Sequence, residues 1–128
     1  MKKLQNYDIL LVEPDMILAE TYVNLLKRTG YQTCHVSGAQ DAIMAIDKIR
    51  PRLIILELQL QSHNGIELLH ELRSYPDLQG IPVVLLTFIP KPASGGNRYK
   101  QFGVEEYLYK PHTSLEKLTR TVEDVITS

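Results

Sequence analysis

Between Pro51 and Gly65 the chain reads PRLIILELQLQSHNG, and this stretch limits the fold more than any other. Leu53 to Leu56 is an unbroken apolar run bounded by turn residues, which suits a strand buried on both faces. At its carboxyl end the run breaks at a single acid, Glu57. A polar segment, Gln59 to Asn64, then leads to Gly65 and a new helical pattern. In an open parallel sheet, ligands bind in the crevice beyond the carboxyl ends of the strands. Glu57 is therefore a site candidate, and its neighbours decide what kind.

The rest of the chain repeats the alternation. Tyr7 to Val12 (YDILLV) reads as a buried strand ended by Glu13, Pro14 and Asp15. Asp15 is placed to cap the following helix, whose apolar positions Leu18, Tyr22, Leu25 and Leu26 have helical spacing; Gly30 terminates it. Tyr31 to His35 is a more polar strand, expected at a sheet edge. Ser37 with Gln40 predicts a capping box for a helix with Ala42, Ala45, Ile46 and Ile49 inward, closed by Pro51. A third helix follows Gly65, with Ile66, Leu69 and Leu72 on one side. Pro82 to Thr87 (PVVLLT) and Glu105 to Tyr109 (EEYLY) are the fourth and fifth strands. Between them FIPKPASGGN holds two prolines and two glycines, which leaves room for at most a short helix from about Ser94 to Phe102. The last helix starts after Thr113 and Ser114 and carries Leu115, Leu118, Val122, Val125 and Ile126 on one stripe. Five strands alternating with five helical patterns predict one α/β domain over residues 1–128, a doubly wound parallel sheet with helices on both faces.

Composition narrows the function classes. At 128 residues, with 44% hydrophobic and 23% charged residues, the chain is of one-domain size and globular composition. Its formal charge of −1, with Lys and Arg scattered, gives no reason to expect nucleic acid as a partner. No apolar run has the length of a bilayer span, and the N-terminus lacks a signal-peptide pattern. The single cysteine, Cys34, has no internal partner; it is expected as a small buried residue in a reducing cytoplasm. His35, His63, His70 and His112 share no metal-ligand spacing.

Four polar residues collect where the strands end: Glu13 after the first, Glu57 after the third, Thr87 after the fourth and Lys110 after the fifth. In a doubly wound sheet of strand order 2-1-3-4-5 those strands are neighbours, so the four side chains converge on one crevice. Singly, each has an ordinary reading as a solvated loop acid, a strand-end hydroxyl or a helix-end cation. Together, two carboxylates, a hydroxyl and an ammonium suit the handling of a phosphoryl group or a metal ion.

With ILLVEPD, LIILELQLQSHNG, PVVLLT and EEYLYKP at these positions, nearly the whole chain resembles a receiver domain of the bacterial response-regulator family. The resemblance implies a flavodoxin-like fold and a role in two-component signalling rather than an enzyme. It also implies a protein partner, either a sensor kinase or a downstream signalling protein, with homodimers common in the family. In active members two acids after the first strand and an aspartate after the third hold magnesium, and that aspartate accepts a phosphoryl group. Carried over, Glu13 takes the first pocket acid with Asp15 beside it, Glu57 the phosphoacceptor, Thr87 and Lys110 the phosphate contacts, and Tyr107 the switch aromatic. The family's usual signalling face, built from the fourth helix, fifth strand and fifth helix, here includes the irregular FIPKPASGGN.

Two departures shape the expected function. Pro14 stands at the second pocket acid and offers no carboxylate, which weakens a magnesium site built on Glu13 and Glu57. Asp15, shifted by one residue, is accounted for by helix capping. Glu57 is one methylene longer than an aspartate, and a misplacement of about 1 Å can cost about 100-fold in rate. Gln61 replaces a proline usual four residues after the acceptor, which loosens that loop. The first reading is thus a phosphorylation-independent pseudo-receiver acting by protein binding, with no cofactor required and a Glu57–Lys110 ion pair holding one state. The alternative is an active phosphoacceptor receiver. A flavodoxin-like cofactor binder is disfavoured because no Gly-rich phosphate loop follows Val12. The chain ends with its last helical pattern, so no DNA-binding output domain is expected within it, whether it stands alone or belongs to a longer protein.

Overall fold

A computed structural model describes residues 6–61, 64–93 and 96–128. Five strands, β1 (Ile9–Val12), β2 (Thr33–Val36), β3 (Leu53–Leu56), β4 (Val83–Thr87) and β5 (Val104–Tyr109), form one parallel sheet in the order 2-1-3-4-5. Four α-helices lie among the described residues: α1 (Met16–Arg28), α2 (Ala39–Ile49), α3 (Gly65–Arg73) and α4 (Leu115–Thr127). This is the doubly wound, flavodoxin-like arrangement that the alternation of patterns predicts. The outer strands fall to β2 and β5, so the polar strand Thr33–Val36 is an edge, as its composition suggested.

Side chains alternate across each strand, and the two sets build two separate cores. Leu10, Val12, Ile54, Leu56, Val83 and Leu85 point to the face covered by α2 and α3 through Ala42, Ile46, Ile49, Leu68, Leu69 and Leu72. Ile9, Leu11, Leu53, Ile55, Val84 and Leu86 point to the opposite face, where Ala19, Tyr22 and Leu26 of α1 meet Leu118 and Val122 of α4. The central strands are buried along their whole length. Fully burying one such side chain contributes about 1.5–3 kcal/mol, so the strand ends, and the polar residues that follow them, are held by the most stable part of the molecule.

Several local expectations need correction. The Ser37–Gln40 capping box does not form: Gly38 takes the N-cap in an extended conformation without a side-chain cap, which puts Ser37 one residue outside the helix. Leu115 is 45% exposed rather than part of the inner stripe, because Ser114 caps α4 through Lys117 N–H and makes Leu115 the first helical residue. Cys34 is only half-buried, as an edge strand allows. By contrast, the short helix expected up to Phe102 between β4 and β5 does form, as a 3₁₀ segment, Gly96–Phe102. Pro90 and Pro92 lack backbone donors, and glycine is a poor helix former, so this stretch cannot sustain α-helical bonding. Its end is pinned by Arg73, whose guanidinium donates to the carbonyls of Phe102, Leu78, Gln79 and Ile81. His63 and Gly95 lie outside the described residues.

Candidate functional site

Register brings the four polar residues together. Val12 pairs with Leu56 and Leu56 with Leu85, while Thr87 pairs with Tyr109. Glu13, Glu57, Thr87 and Lys110 therefore emerge side by side at the carboxyl edge. The backbone ladder continues one step past the strands through Glu13 N–H to Val36 O and Glu57 N–H to Val12 O, both 3.0 Å. Glu13, Glu57 and Thr87 are buried at 2%, 2% and 0% exposure, so every polar atom needs a partner.

Each finds one. Lys110 Nζ lies 2.6 Å from Glu13 Oε1 and 2.7 Å from Glu57 Oε1, bridging the two acids. Glu57 Oε1 also accepts from Phe88 N–H at 3.2 Å. Glu57 Oε2 accepts from the Thr87 hydroxyl and from Gln59 N–H at 3.0 Å. The Glu57 carboxylate thus receives four hydrogen bonds, two on each oxygen, which fills its acceptor capacity. Glu13 Oε2 accepts from Asp15 N–H at 2.9 Å, and the Glu13 carbonyl accepts from His35 Nε2 at 2.8 Å. Burial pushes the Glu57 carboxyl upward, but the bonds from Lys110, Thr87 and Gln59 outweigh it and hold the group below its ordinary range.

The site extends beyond those four residues. Thr87 Oγ1 accepts from Ile89 N–H at 3.1 Å, and Ile89 O in turn accepts from the Tyr107 hydroxyl at 2.7 Å. Tyr107 packs edge-on against Tyr99, with ring centroids 5.3 Å apart. Hydrogen bonding is therefore continuous from Lys110 through Glu57, Thr87 and Ile89 to Tyr107. Burial, with Tyr99 and the Glu57 charge, pushes the Tyr107 phenol up to about 12. Tyr22 on α1 also rises to about 12, through burial and the charges of Glu13, Glu57 and Asp15. Asp15 does what its position before α1 predicts: Oδ1 accepts from Ile17 N–H and Leu18 N–H.

Sequence reasoning missed three contributors. Phe88 sets its ring 4.5 Å from Lys110 Nζ, a cation–π contact that covers the ammonium; an aromatic directly after Thr87 was the available signal. The N–H groups of Gln59 and Phe88 carry no sequence signature at all. Gly65 places its backbone against the acid's strand: a Cβ there would sit 2.7 Å from Leu58 Cα and 3.0 Å from Glu57 O.

The donor set is poor for magnesium, which wants near-octahedral oxygen coordination. Pro14 contributes no carboxylate, both Glu57 oxygens are saturated, and Lys110 lies between the acids. Among the described residues no group of three or more His, Cys, Asp or Glu side chains is placed to hold a metal ion. A neighbouring depression of about 580 Å³, lined by Gln59, Gln61, Ile66, Glu67 and Ile89 among others, does not include Glu13, Glu57, Thr87 or Lys110.

A five-stranded parallel sheet of order 2-1-3-4-5 with acids, a hydroxyl and a lysine at its carboxyl edge defines a CheY-like α/β class. Residues 9–123 match the response regulator receiver domain, and the chain belongs to that family. It is 30% identical over 112 residues to the DNA-binding response regulator MtrA of Mycolicibacterium paratuberculosis, covering 88% of this chain and 48% of that protein. It is 25% identical to the polar-differentiation response regulator DivK of Brucella anthropi, covering 92% and 94%. The chain thus spans about half the length of the MtrA relatives it matches. Its structure is similar to the signal receiver domain of a histidine kinase from Syntrophus aciditrophicus, with a TM-score of 0.82 and 32% identity over 94% of this chain and 90% of that one.

Proposed function

We propose that this receiver domain works without phosphorylation, as a protein-interaction module of two-component signalling, with Glu57 standing in the phosphoacceptor position. The observation that carries the reading is the saturation of Glu57: Lys110, Phe88 N–H, Thr87 and Gln59 N–H occupy both oxygens. A carboxylate in that state has no free lone pair to direct at phosphorus, and its extra methylene moves it from where an aspartate would attack. Thr87 and Lys110, which in an active member would contact a phosphate, are engaged by the carboxylate instead. A carboxylate brings one charge where a phosphate brings about −1.5 to −2, so Glu57 is a partial internal substitute.

Tyr107, in the switch position, is tied to Ile89 O on the same hydrogen-bond chain, which supports one settled arrangement rather than a switched pair. The partner is a sensor kinase or a downstream signalling protein, met in the cytoplasm, with self-association as a further mode. Relatives such as MtrA are DNA-binding regulators, whereas a formal charge of −1 gives this chain no electrostatic footprint for nucleic acid. No described helix is long and apolar enough to cross a membrane.

Incubation with acetyl phosphate and magnesium, read by intact mass, tests the proposal. No mass gain is expected, and beryllofluoride is expected not to bind. A stoichiometric gain of one phosphoryl group would establish an active phosphoacceptor in its place.

A further inference from the structure

The crevice between Glu13 and Glu57 already contains a positive charge, and it belongs to the chain. Lys110 Nζ touches Glu13 Oε1 at 2.6 Å and Glu57 Oε1 at 2.7 Å, its side chain is 4% exposed, and the Phe88 ring covers it at 4.5 Å. We infer that Lys110 is the resident cation of this crevice and excludes divalent ions from it, so that removing its ammonium converts Glu13 and Glu57 into a divalent-cation site.

The competition can be followed oxygen by oxygen. Glu57 Oε2 is taken by Thr87 and Gln59, and Glu13 Oε2 by Asp15 N–H. The remaining pair, Glu13 Oε1 and Glu57 Oε1, are the two atoms that Lys110 bridges, and Glu57 Oε1 keeps a longer bond from Phe88 N–H at 3.2 Å. A divalent ion can reach both only by displacing the ammonium, and Phe88 lies over that exit. An ion that entered beside a retained ammonium would meet a formal charge of only −1 from two acids and one lysine, together with direct like-charge repulsion. Nothing replaces the missing acid: Pro14 has none, and Asp15 Oδ1 is engaged by two backbone N–H groups.

This inference goes beyond the proposed function and stands separately, since a chain can bind an ion and still fail to take a phosphoryl group. The test is a titration with Mn²⁺, followed by the paramagnetic resonance of the free hydrated ion, with Mg²⁺ calorimetry in parallel. The wild-type protein is expected to give no saturable binding in the low-millimolar range. Lys110→Ala is expected to bind one Mn²⁺ per chain, at least about 10-fold more tightly than any wild-type signal, and to lose that binding when Glu13→Gln is added. Lys110→Arg, which keeps the charge, is expected to exclude the ion as the wild type does. One-to-one binding by the wild type that disappears in Glu13→Gln would overturn the inference, whether or not the alanine variant folds. A folded Lys110→Ala without binding would overturn it equally. If the wild type binds Mn²⁺ yet gains no phosphoryl group, this inference falls and the proposed function stands; phosphoryl gain without Mn²⁺ binding has the reverse meaning.

Discussion

Replacing Lys110 by methionine removes the charge that separates two buried carboxylates while keeping most of the side-chain volume. Glu13 and Glu57 are each 2% exposed and the Lys110 side chain 4%, so solvent and salt offer little screening. Removing one partner of a buried ion pair costs about 3–5 kcal/mol. Two contacts are lost here, at 2.6 and 2.7 Å, but Thr87, Gln59 N–H and Phe88 N–H still solvate the Glu57 charge. The expected loss at neutral pH is therefore near the lower bound, about 3 kcal/mol.

The pH dependence is the sharper part of this prediction. In the wild type, burial raises the Glu57 carboxyl, and Lys110, Thr87 and Gln59 more than reverse it, leaving it below the ordinary 4.5. A depressed folded-state pKa contributes stability that is present above 4.5 and is lost as pH falls through the folded value. Without Lys110 the largest contribution opposing burial is gone, so the folded-state pKa rises and the stability that ionised Glu57 supplies shrinks. The deficit of the variant should therefore be largest at neutral pH and narrow as pH falls, so urea unfolding across the acid range should give a shallower slope for the variant than for the wild type. A neutral-pH cost below about 1 kcal/mol, the scale of an exposed ion pair, or two parallel curves, would refute the reasoning.

Three further outcomes are expected. Glu57→Asp alone should gain no phosphoryl group from acetyl phosphate by intact mass, whereas Glu57→Asp with Pro14→Asp should gain one; success of the single variant would mean that the missing acid matters little. Gly65→Ala should destabilise the domain by about 1–3 kcal/mol, the range for overpacking, since its Cβ would meet Leu58 Cα at 2.7 Å; amide shifts concentrated at Glu57 to Gln59 would locate the strain, and unchanged stability would contradict it. Tyr107→Phe should cost about 0.5–1.5 kcal/mol for the hydrogen bond to Ile89 O. The same variant should remove one phenol titrating at about 12, seen by ultraviolet absorbance, and an unchanged titration curve would sink the assignment.

The site makes sense as a charge arrangement that is complete within the chain. Its two acids share one ammonium, and its hydroxyl donates to one of the carboxylates.

Much of this was legible in the sequence because it depends on local pattern. The uninterrupted run Leu53–Leu56 and its counterparts in β1 and β4 dictated buried parallel strands. Since Glu13, Glu57, Thr87 and Lys110 each fall at a strand end, their convergence followed from strand order alone. Asp15 as the cap of α1 was likewise a local matter. What the tertiary structure alone decided was how those groups are satisfied. The four bonds to Glu57 come from Gln59, Thr87, Phe88 and Lys110, three of these donors on segments remote from Glu57 in sequence and two of them backbone N–H groups that no residue letter records. The Phe88 cover over Lys110 also depends on packing between distant segments. Periodicity can tell where a polar side chain emerges; whether its lone pairs are still free is set by loops that meet only when the sheet has formed.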